Sequence, residues 1–499
     1  MNYQQNENEL LNCYLDKVIF RKEYDFDFIL QHEDIYQEQR HNTQNRIESL
    51  ELIIRPECNQ RCEYCYIARY GADLYPFAER LSNEEILHNI DLVLDYVFNT
   101  RNLYIDRWEI FAGDLFYDGI FFDMCDLFIK YLSQKQKIYP SIFLNHPGLI
   151  LTPTNFSFIR NPETKQKLEE YMEYFQKNFN WEIGFSVSTD GKYAIDTREQ
   201  VDLDDSFFDD CFKWTIKYHK MGFHPIISAS NVHNAIKNYD WWRDMCYKWY
   251  TDVPEKRQDI LPYWLEARND EWAQDNIDDF LKLLNHMVDD RLRMCNNNVK
   301  ELAYHFTVGD GQNNTLLGLL HGDLIWFNTL SKEALQDLGC SMSISTIINI
   351  SNLSLPPCHR LTYPQFNGGF FKVQDNKIVD IEAFNLSLYL TAKTANAKYL
   401  PKCSLCEYSA ICHKGCFGAQ CESTGEIFHP AMSVCNLEKQ RFDFLIYKYY
   451  NLDLFKVIEE QGKDSDTIML LRVVKNIFDN IDDVEREKYD RIINEARTD

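Results

Sequence analysis

Between residues 49 and 287, short apolar runs alternate with amphipathic stretches of helical length, and this alternation restricts the fold more than any other feature. The runs SLELIIRP (49–56), RWEIFAG (107–113), PSIFLNH (140–146), WEIGFSVST (181–189), FHPIISASN (223–231) and ILPYWLEAR (260–268) predict strands. The stretches 81–98, 118–134, 163–178, 206–220, 237–250 and 271–287 predict helices, the first opened by a Ser82/Glu85 capping box. Strands that alternate with helices predict a parallel sheet covered by helices. Six such units predict an incomplete barrel rather than a closed eightfold one. The expected fold class is therefore α/β, with a partial (β/α)6 barrel over 48–290. A polar extension, 1–47, precedes it and a connecting region, 291–357, follows. Next comes a small Cys-rich module, 358–440, with β-like pieces GGFFKV and NKIVDI, and then a helical tail, 441–499.

At 499 residues the chain exceeds one ordinary domain. Its 52 Lys+Arg against 77 Asp+Glu leave a net charge of −25. That excludes the basic footprint of a nucleic-acid binder and favours a basic partner, such as a Lys/Arg-rich peptide. No apolar stretch is long enough to span a membrane, and the start is polar and acidic rather than signal-like. A cytoplasmic chain is expected, in which the 16 cysteines are metal ligands before they are disulfides.

In α/β barrels the chemistry lies at the C-terminal strand ends. The polar residues there are Ala112-Gly113-Asp114, Asn145-His146, Ser188-Thr189-Asp190, Asn231, and Glu266 with Arg268. All would converge on one mouth. Any one of them is equally well an ordinary polar loop residue.

Two cysteine groups are tight: Cys58-x3-Cys62-x2-Cys65, and Cys403-x2-Cys406-x5-Cys412-x3-Cys416 with Cys421 and Cys435 beyond. A given three-cysteine spacing arises by chance in roughly one or two such chains per hundred, and the four-cysteine spacing about thirty times less often, so together they are not accident. Three thiolates on one loop suit a four-iron cube whose fourth iron stays open to an amine and a carboxylate. A three-thiolate zinc loop is the alternative. Cys13, Cys125, Cys211, Cys246 and Cys295 have no partner at useful spacing and are expected as buried small hydrophobes.

Over about residues 48–440 the sequence resembles radical SAM enzymes with a SPASM-type C-terminal extension. The resemblance rests on four segments. Cys58, Cys62 and Cys65, with Tyr66 directly after, match the cluster loop. IFAGDLF (110–116) stands where the family has a glycine-glycine-glutamate segment. SVSTDGKYAIDTRE (186–199) is similar to its serine–aspartate–glycine stretch, and the run ending at Cys435 is similar to its auxiliary cysteine pattern. The resemblance implies a [4Fe-4S] cluster on Cys58, Cys62 and Cys65 that binds S-adenosylmethionine, with Tyr66, Gly113, Asp114, Ser188, Arg198 and Asn231 as cofactor contacts. It implies at least one auxiliary [4Fe-4S] cluster on Cys403, Cys406, Cys412 and Cys435. Ala112 and Asp114 replace the usual glycine and glutamate. The other auxiliary site lacks a family cysteine: Cys416 and Cys358 are available, with Cys340 and Cys421 as new routes, or that cluster is absent.

The resemblance implies reductive cleavage of S-adenosylmethionine to a 5′-deoxyadenosyl radical. That radical would take hydrogen from a peptide or protein side chain, giving a crosslink (thioether, C–C or C–O) or an oxidised residue, as in maturases of ribosomally made peptides. A one-electron reductant such as flavodoxin or ferredoxin is the implied partner. A sulfatase-maturating, formylglycine-generating enzyme and a non-catalytic iron–sulfur or zinc scaffold are the competing readings.

Overall fold

The computed structural model describes residues 3–18, 49–69, 81–193, 205–218, 221–223, 225–249, 265–266, 271–307, 346–394, 401–409, 411–412, 416–461 and 465–495. The strands are β1 (Ser49–Arg55), β2 (Arg107–Ala112), β3 (Gly148–Thr154), β4 (Trp181–Val187), β5 (Met221–Phe223), β6 (Ile226–Ile227), β7 (Leu265–Glu266), β8 (Thr346–Asn349), β9 (Gly369–Gln374) and β10 (Lys377–Ala383). Six of them form one sheet in the order β5-β4-β3-β2-β1-β8. Every pairing in it is parallel. The fold is thus α/β, and among the described residues the sheet is open, with β5 and β8 as its edges.

Helix α1 is Tyr3–Val18, α2 Asn83–Asp95, α3 Ile120–Ile138, α4 Pro140–Asn145, α5 Pro162–Phe179, α6 Asp205–Tyr218, α7 Ala235–Trp249 and α8 Gln274–Met294. Ser82 and Glu85 form the expected reciprocal box at the start of α2, which satisfies two otherwise orphaned N–H groups. Ile86, Ile90 and Val93 then fall on one buried face at helical spacing. Along β1, Leu50, Leu52 and Ile54 enter the main core beneath the helices, while Ile53 enters a smaller cluster on the opposite face. A strand covered on both faces is what a parallel sheet requires.

Three expectations about strands need correction. Residues 140–145 are helix α4, and strand three is Gly148–Thr154, so Asn145 and His146 do not end a strand. Pro140 occupies the first helical turn, where its fixed φ and missing N–H suit a helix. Pro153 disguised the true strand, and β2 pairs with β3 only as far as Leu151, so the proline removes no bond on that side. Strand five is Met221–Phe223 rather than 223–231. Of the sixth, Leu265–Glu266 is described, and it pairs with β6 outside the main sheet. The sixth strand of the main sheet is instead β8, from the connecting region.

The hairpin β9–β10 turns at Asp375 and Asn376, both at positive φ (49° and 57°), the geometry of a tight primed turn. Phe371, Ile378, Ile381 and Ala383 join the main core. Helix α1 docks on this hairpin, with Gln4 Nε2 donating to the Ala383 carbonyl at 2.7 Å and the Ala383 N–H donating to Asn8 Oδ1 at 2.8 Å. Further on, α9 (Val299–Thr307), α10 (Leu386–Thr394), α11 (Pro401–Ser404), α12 (Phe417–Thr424), α13 (Met432–Asn451), α14 (Leu454–Gln461), α15 (Ser465–Asn480) and α16 (Asp483–Glu495) follow. Leu445, Ile446, Ile477 and Ile492 of this helical tail pack in a second core with Phe280, Leu284 and Val288 of α8. No helix among the described residues is long and apolar enough to cross a membrane.

Candidate active site at the cysteine loop

The loop that follows β1 carries Cys58, Cys62 and Cys65, all partly exposed. The Cys65 N–H bonds the Cys62 carbonyl at 3.1 Å, and the Arg69 N–H bonds the Cys65 carbonyl at 3.0 Å, so the third cysteine opens a helical turn. The end of β2 fixes the loop from below. The Gly113 N–H reaches the Arg55 carbonyl at 3.3 Å, and the Asp114 N–H reaches the Glu57 carbonyl at 3.2 Å. A Cβ on Gly113 would lie 2.0 Å from the Glu57 oxygen and 2.7 Å from the Cys58 Cβ. Only glycine permits this approach.

Asp114 is 1 % exposed and fully engaged. One oxygen accepts from the Thr154 hydroxyl and the Asn155 N–H, both at 2.9 Å, and the other from the Phe116 N–H at 3.0 Å. Burial raises the Asp114 pKa, opposed by these hydrogen bonds. The carboxylate thus clamps the end of β2 to the end of β3. Asn155 continues the link, its Nδ2 donating to Asn59 Oδ1 at 2.6 Å within the cysteine loop. Tyr64, between Cys62 and Cys65, donates its phenol hydrogen to Asp190 at the end of β4. The other Asp190 oxygen accepts from the Ile226 N–H at 2.9 Å.

Beside the loop lies a cavity of about 530 Å³. Asn59 and Gln60 of the cysteine loop line it, with Asn155 from the end of β3 and Ser188 and Thr189 from the end of β4. Phe116, Tyr117 and Asp118 close one side, and Ser157, Arg160, Asn161, Thr164 and Phe207 the other.

Tyr66 faces the second cysteine region. Its ring stacks on Phe111 at 6.3 Å, lies 6.2 Å from His359, and has the Arg360 guanidinium 4.5 Å over it. His359 stacks on Phe111 at 4.3 Å, and its Nδ1 meets Glu51 Oε1 at 2.9 Å. Arg360 forks onto Glu422, whose side chain is 0 % exposed. Cys358 and Cys421 share one small apolar cluster with Phe417. Cys416 is close enough to act electrostatically on both His359 and Arg360.

In the C-terminal group, the Cys406 N–H bonds the Cys403 carbonyl at 3.1 Å. Burial, with Cys403 and Cys406 as neighbours, pushes the Cys435 thiol up to about 11. Cys406 and Cys412 both pack against the second core. Cys125, Cys211, Cys246 and Cys295 are buried, whereas Cys13 is exposed.

Tyr66, Gly113 and Asp114 thus cluster at the cysteine loop, and Ser188 lines the adjoining cavity. Asn231 closes a turn, its Oδ1 accepting from the Ser228 N–H at 2.9 Å and its Nδ2 donating to the Ile226 carbonyl at 3.0 Å, and the Ser230 hydroxyl of that turn donates to Glu63 of the cysteine loop at 3.2 Å. Arg198 and Cys340 lie outside the described residues. Sequence reasoning missed Thr154 and Asn155, because it set strand three too early in the chain. It also missed Tyr64, Glu51 and Arg360, whose partners are remote in the chain.

Three thiols of one loop stand beyond the end of β1, braced by Gly113, and thiolates are the donors that iron–sulfur clusters take. Among the described residues, no three Cys, His, Asp or Glu side chains close on a point that could hold a single metal ion.

No family model matches the sequence, nor does any curated protein. Solved structures do resemble the fold. One, a histidine-tagged anSMEcpe with bound AdoMet, has a TM-score of 0.46 at 14 % identity over 85 % of this chain and 98 % of that one. Another, SuiB of Streptococcus suis bound to S-adenosylmethionine, has a TM-score of 0.41 at 15 % identity over 81 % of this chain and 79 % of that one.

Proposed function

We propose that this chain is a radical SAM enzyme that removes hydrogen from a carbon of a peptide or protein substrate. The observation that carries the reading is the seat of the cysteine loop. Three thiols at the spacing x3, x2 stand at the C-terminal end of a parallel sheet, and Gly113 is packed so closely beneath Cys58 that no side chain fits. Cys58, Cys62 and Cys65 would hold a four-iron cluster, which when bound supplies the electron that cleaves S-adenosylmethionine.

The chain's own residues supply orientation. Gly113 and Asp114 hold the loop to β2, Asp114 and Asn155 tie β2 to β3, and Tyr64 and Asp190 tie the loop to β4. The cavity walled by Asn59, Asn155, Ser188 and Thr189 opens beside the cysteines and is the site we assign to the nucleoside cofactor and the reacting side chain. The second cysteine group, Cys403, Cys406, Cys412 and Cys435, would hold an auxiliary cluster suited to accept the electron left on an oxidised substrate. The open sheet and the net charge of −25 favour an extended basic peptide. The reductant we infer is a small one-electron carrier of the flavodoxin or ferredoxin type.

Anaerobic reconstitution with iron and sulfide tests this reading. With a one-electron reductant of the flavodoxin type added, the wild type should cleave S-adenosylmethionine to methionine and 5′-deoxyadenosine. The variant with Cys58, Cys62 and Cys65 all changed to Ala should lose about four irons per chain and all cleavage, while keeping its C-terminal iron. Full cleavage by that variant would remove the proposal. Transfer of deuterium from a labelled peptide into 5′-deoxyadenosine would support the peptide substrate, and transfer from small metabolites alone would refute it.

A further inference from the structure

A second cavity, of about 500 Å³, is walled by α8, α13, the end of α15, α16 and the residues that follow Cys406. Neither the first cysteine loop nor the sheet contributes to it. Four carboxylates line it, those of Asp278, Glu407, Asp443 and Glu485, against the ammonium groups of Lys439 and Lys488. Lys488 is taken by Asp278 at 2.5 Å and by Gln440 Oε1 at 2.8 Å. Glu407 and Glu485 have no ion pair among the described residues, and Lys439 lies 5.6 Å over the Tyr408 ring. Three carboxylates thus remain against one cation.

Two buried polar groups give this cavity its acceptors. Asp443 is 5 % exposed. One of its oxygens accepts from the Tyr408 hydroxyl at 2.6 Å; the other has no hydrogen-bond partner among the described residues and is not sealed from solvent. Tyr489 is 1 % exposed, its ring packed on Phe444 at 5.6 Å and on Tyr447 at 5.9 Å. Its hydroxyl likewise has no partner among the described residues and keeps accessible surface where Tyr489 lines the cavity. A buried acceptor left unpaired is costly, and a bound donor removes that cost. The Asp443 pKa is raised chiefly by burial, with help from Glu485 and Glu407 and against the Tyr408 bond and Lys439. A cation in the cavity would favour the ionised carboxylate.

Among the described residues, no three of these carboxylates close on a point that could hold a metal ion, and the volume is that of a site for an organic ligand. An ammonium group carries three donors and a guanidinium five, with no acceptor on either. Such a group can satisfy Asp443 and Tyr489 while the Glu407 and Glu485 carboxylates balance its charge. The net charge of −25 favours its approach. Glu407 and Tyr408 directly follow Cys406, and Asn436 follows Cys435, so an occupant would sit beside the second cysteine group. We propose that this cavity binds the charged side chain of a Lys or Arg of the substrate peptide. The peptide rests on the peptide-modifying radical SAM reading; the preference for an organic cation does not.

Isothermal titration calorimetry of the full-length protein tests this without turnover. The probes are Nα-acetyl-lysine amide, Nα-acetyl-arginine amide, the uncharged Nα-acetyl-norleucine amide, and spermidine. The lysine or arginine amide should bind about tenfold more tightly than the norleucine amide. Glu407→Gln with Glu485→Gln should erase that gap, and Tyr489→Phe should narrow it severalfold. Glu170→Gln with Glu173→Gln, an equal change of charge at exposed positions of α5, should leave it intact. The proposal is overturned if no gap appears, if the gap survives in both cavity variants, or if the α5 variant erases it as fully. Binding of spermidine with neither capped residue preferred would also overturn it, assigning the cavity to a free polyamine. Cleavage of S-adenosylmethionine by the same reconstituted protein is scored separately. Cleavage without a gap removes the cation inference and keeps the radical SAM reading. A gap without cleavage keeps the cation cavity and removes the radical SAM reading.

Discussion

The phenol of Tyr64, set between two cysteines of the loop after β1, is hydrogen-bonded to the fully buried carboxylate of Asp190 beyond the end of β4. The loop is thereby fastened to a strand three places away in the sheet. Tyr64→Phe should leave a buried carboxylate oxygen short of a donor and cost about 1–3 kcal/mol. Denaturant titration of the metal-free protein measures this, and an unchanged midpoint and slope would contradict it.

Gly113→Ala places a methyl group against the Glu57 carbonyl and the Cys58 Cβ. The loop must move, since the obstructing atoms are mainly backbone. The variant should bind about four fewer irons per chain after reconstitution. Iron analysis beside Gly425→Ala, a positive-φ glycine with nothing near it, separates loss of the loop from general strain.

Arg360 and Glu422 form a buried pair that joins the segment after Cys358 to α12. Arg360→Ala strands a carboxylate whose side chain is 0 % exposed and should destabilise the fold by about 3–5 kcal/mol. The double change Arg360→Met with Glu422→Leu should recover much of that loss. A double-mutant cycle followed by thermal unfolding is the measurement.

Asp443 sets a pH dependence. Its carboxyl is pushed up to about 7, chiefly by burial and with help from the Glu485 and Glu407 carboxylates, against the Tyr408 hydroxyl bond at 2.6 Å, which lowers it. The folded state therefore holds a proton that the unfolded chain releases near pH ~4. Stability from this group is fully present below about pH 4 and is lost as pH rises towards about 7, by up to roughly 4 kcal/mol. Asp443→Asn should flatten that part of the stability–pH curve. A curve of the same slope in the variant would show that other groups carry it.

In the C-terminal group, Cys406→Ala should lower the iron content and open the segment around Cys403–Cys435 to protease, because the proposed auxiliary cluster would couple metal binding to folding there. Limited proteolysis with and without reconstitution reports both effects.

Much of this architecture was legible in the sequence where local signals agree. β1, β2, β4 and α2 have clear periodicity, and the Ser82/Glu85 box marks a helix start to the residue. Strand three failed because a short apolar run with one flanking proline suits helix and strand alike, and the true strand contains Pro153. β8 failed for another reason. Three β-branched residues and an asparagine carry no period, and what makes them a strand is the free edge of β1, nearly three hundred residues away. The cysteine spacings identified the loop, but the clamps Asp114–Asn155, Tyr64–Asp190 and Arg360–Glu422 are tertiary, and no spacing encodes them.

The pairing of β8 with β1 also sets an order of events during synthesis. β1 can take β2 as its neighbour as soon as residue 112 emerges, but its other edge waits for Thr346–Asn349. At about 5–20 residues per second, the stretch from Arg55 to Thr346 takes roughly 15–60 s to translate. During that interval the nascent chain carries an uncovered parallel edge on the strand that leads into Cys58, Cys62 and Cys65. Such an edge invites mispairing with other chains.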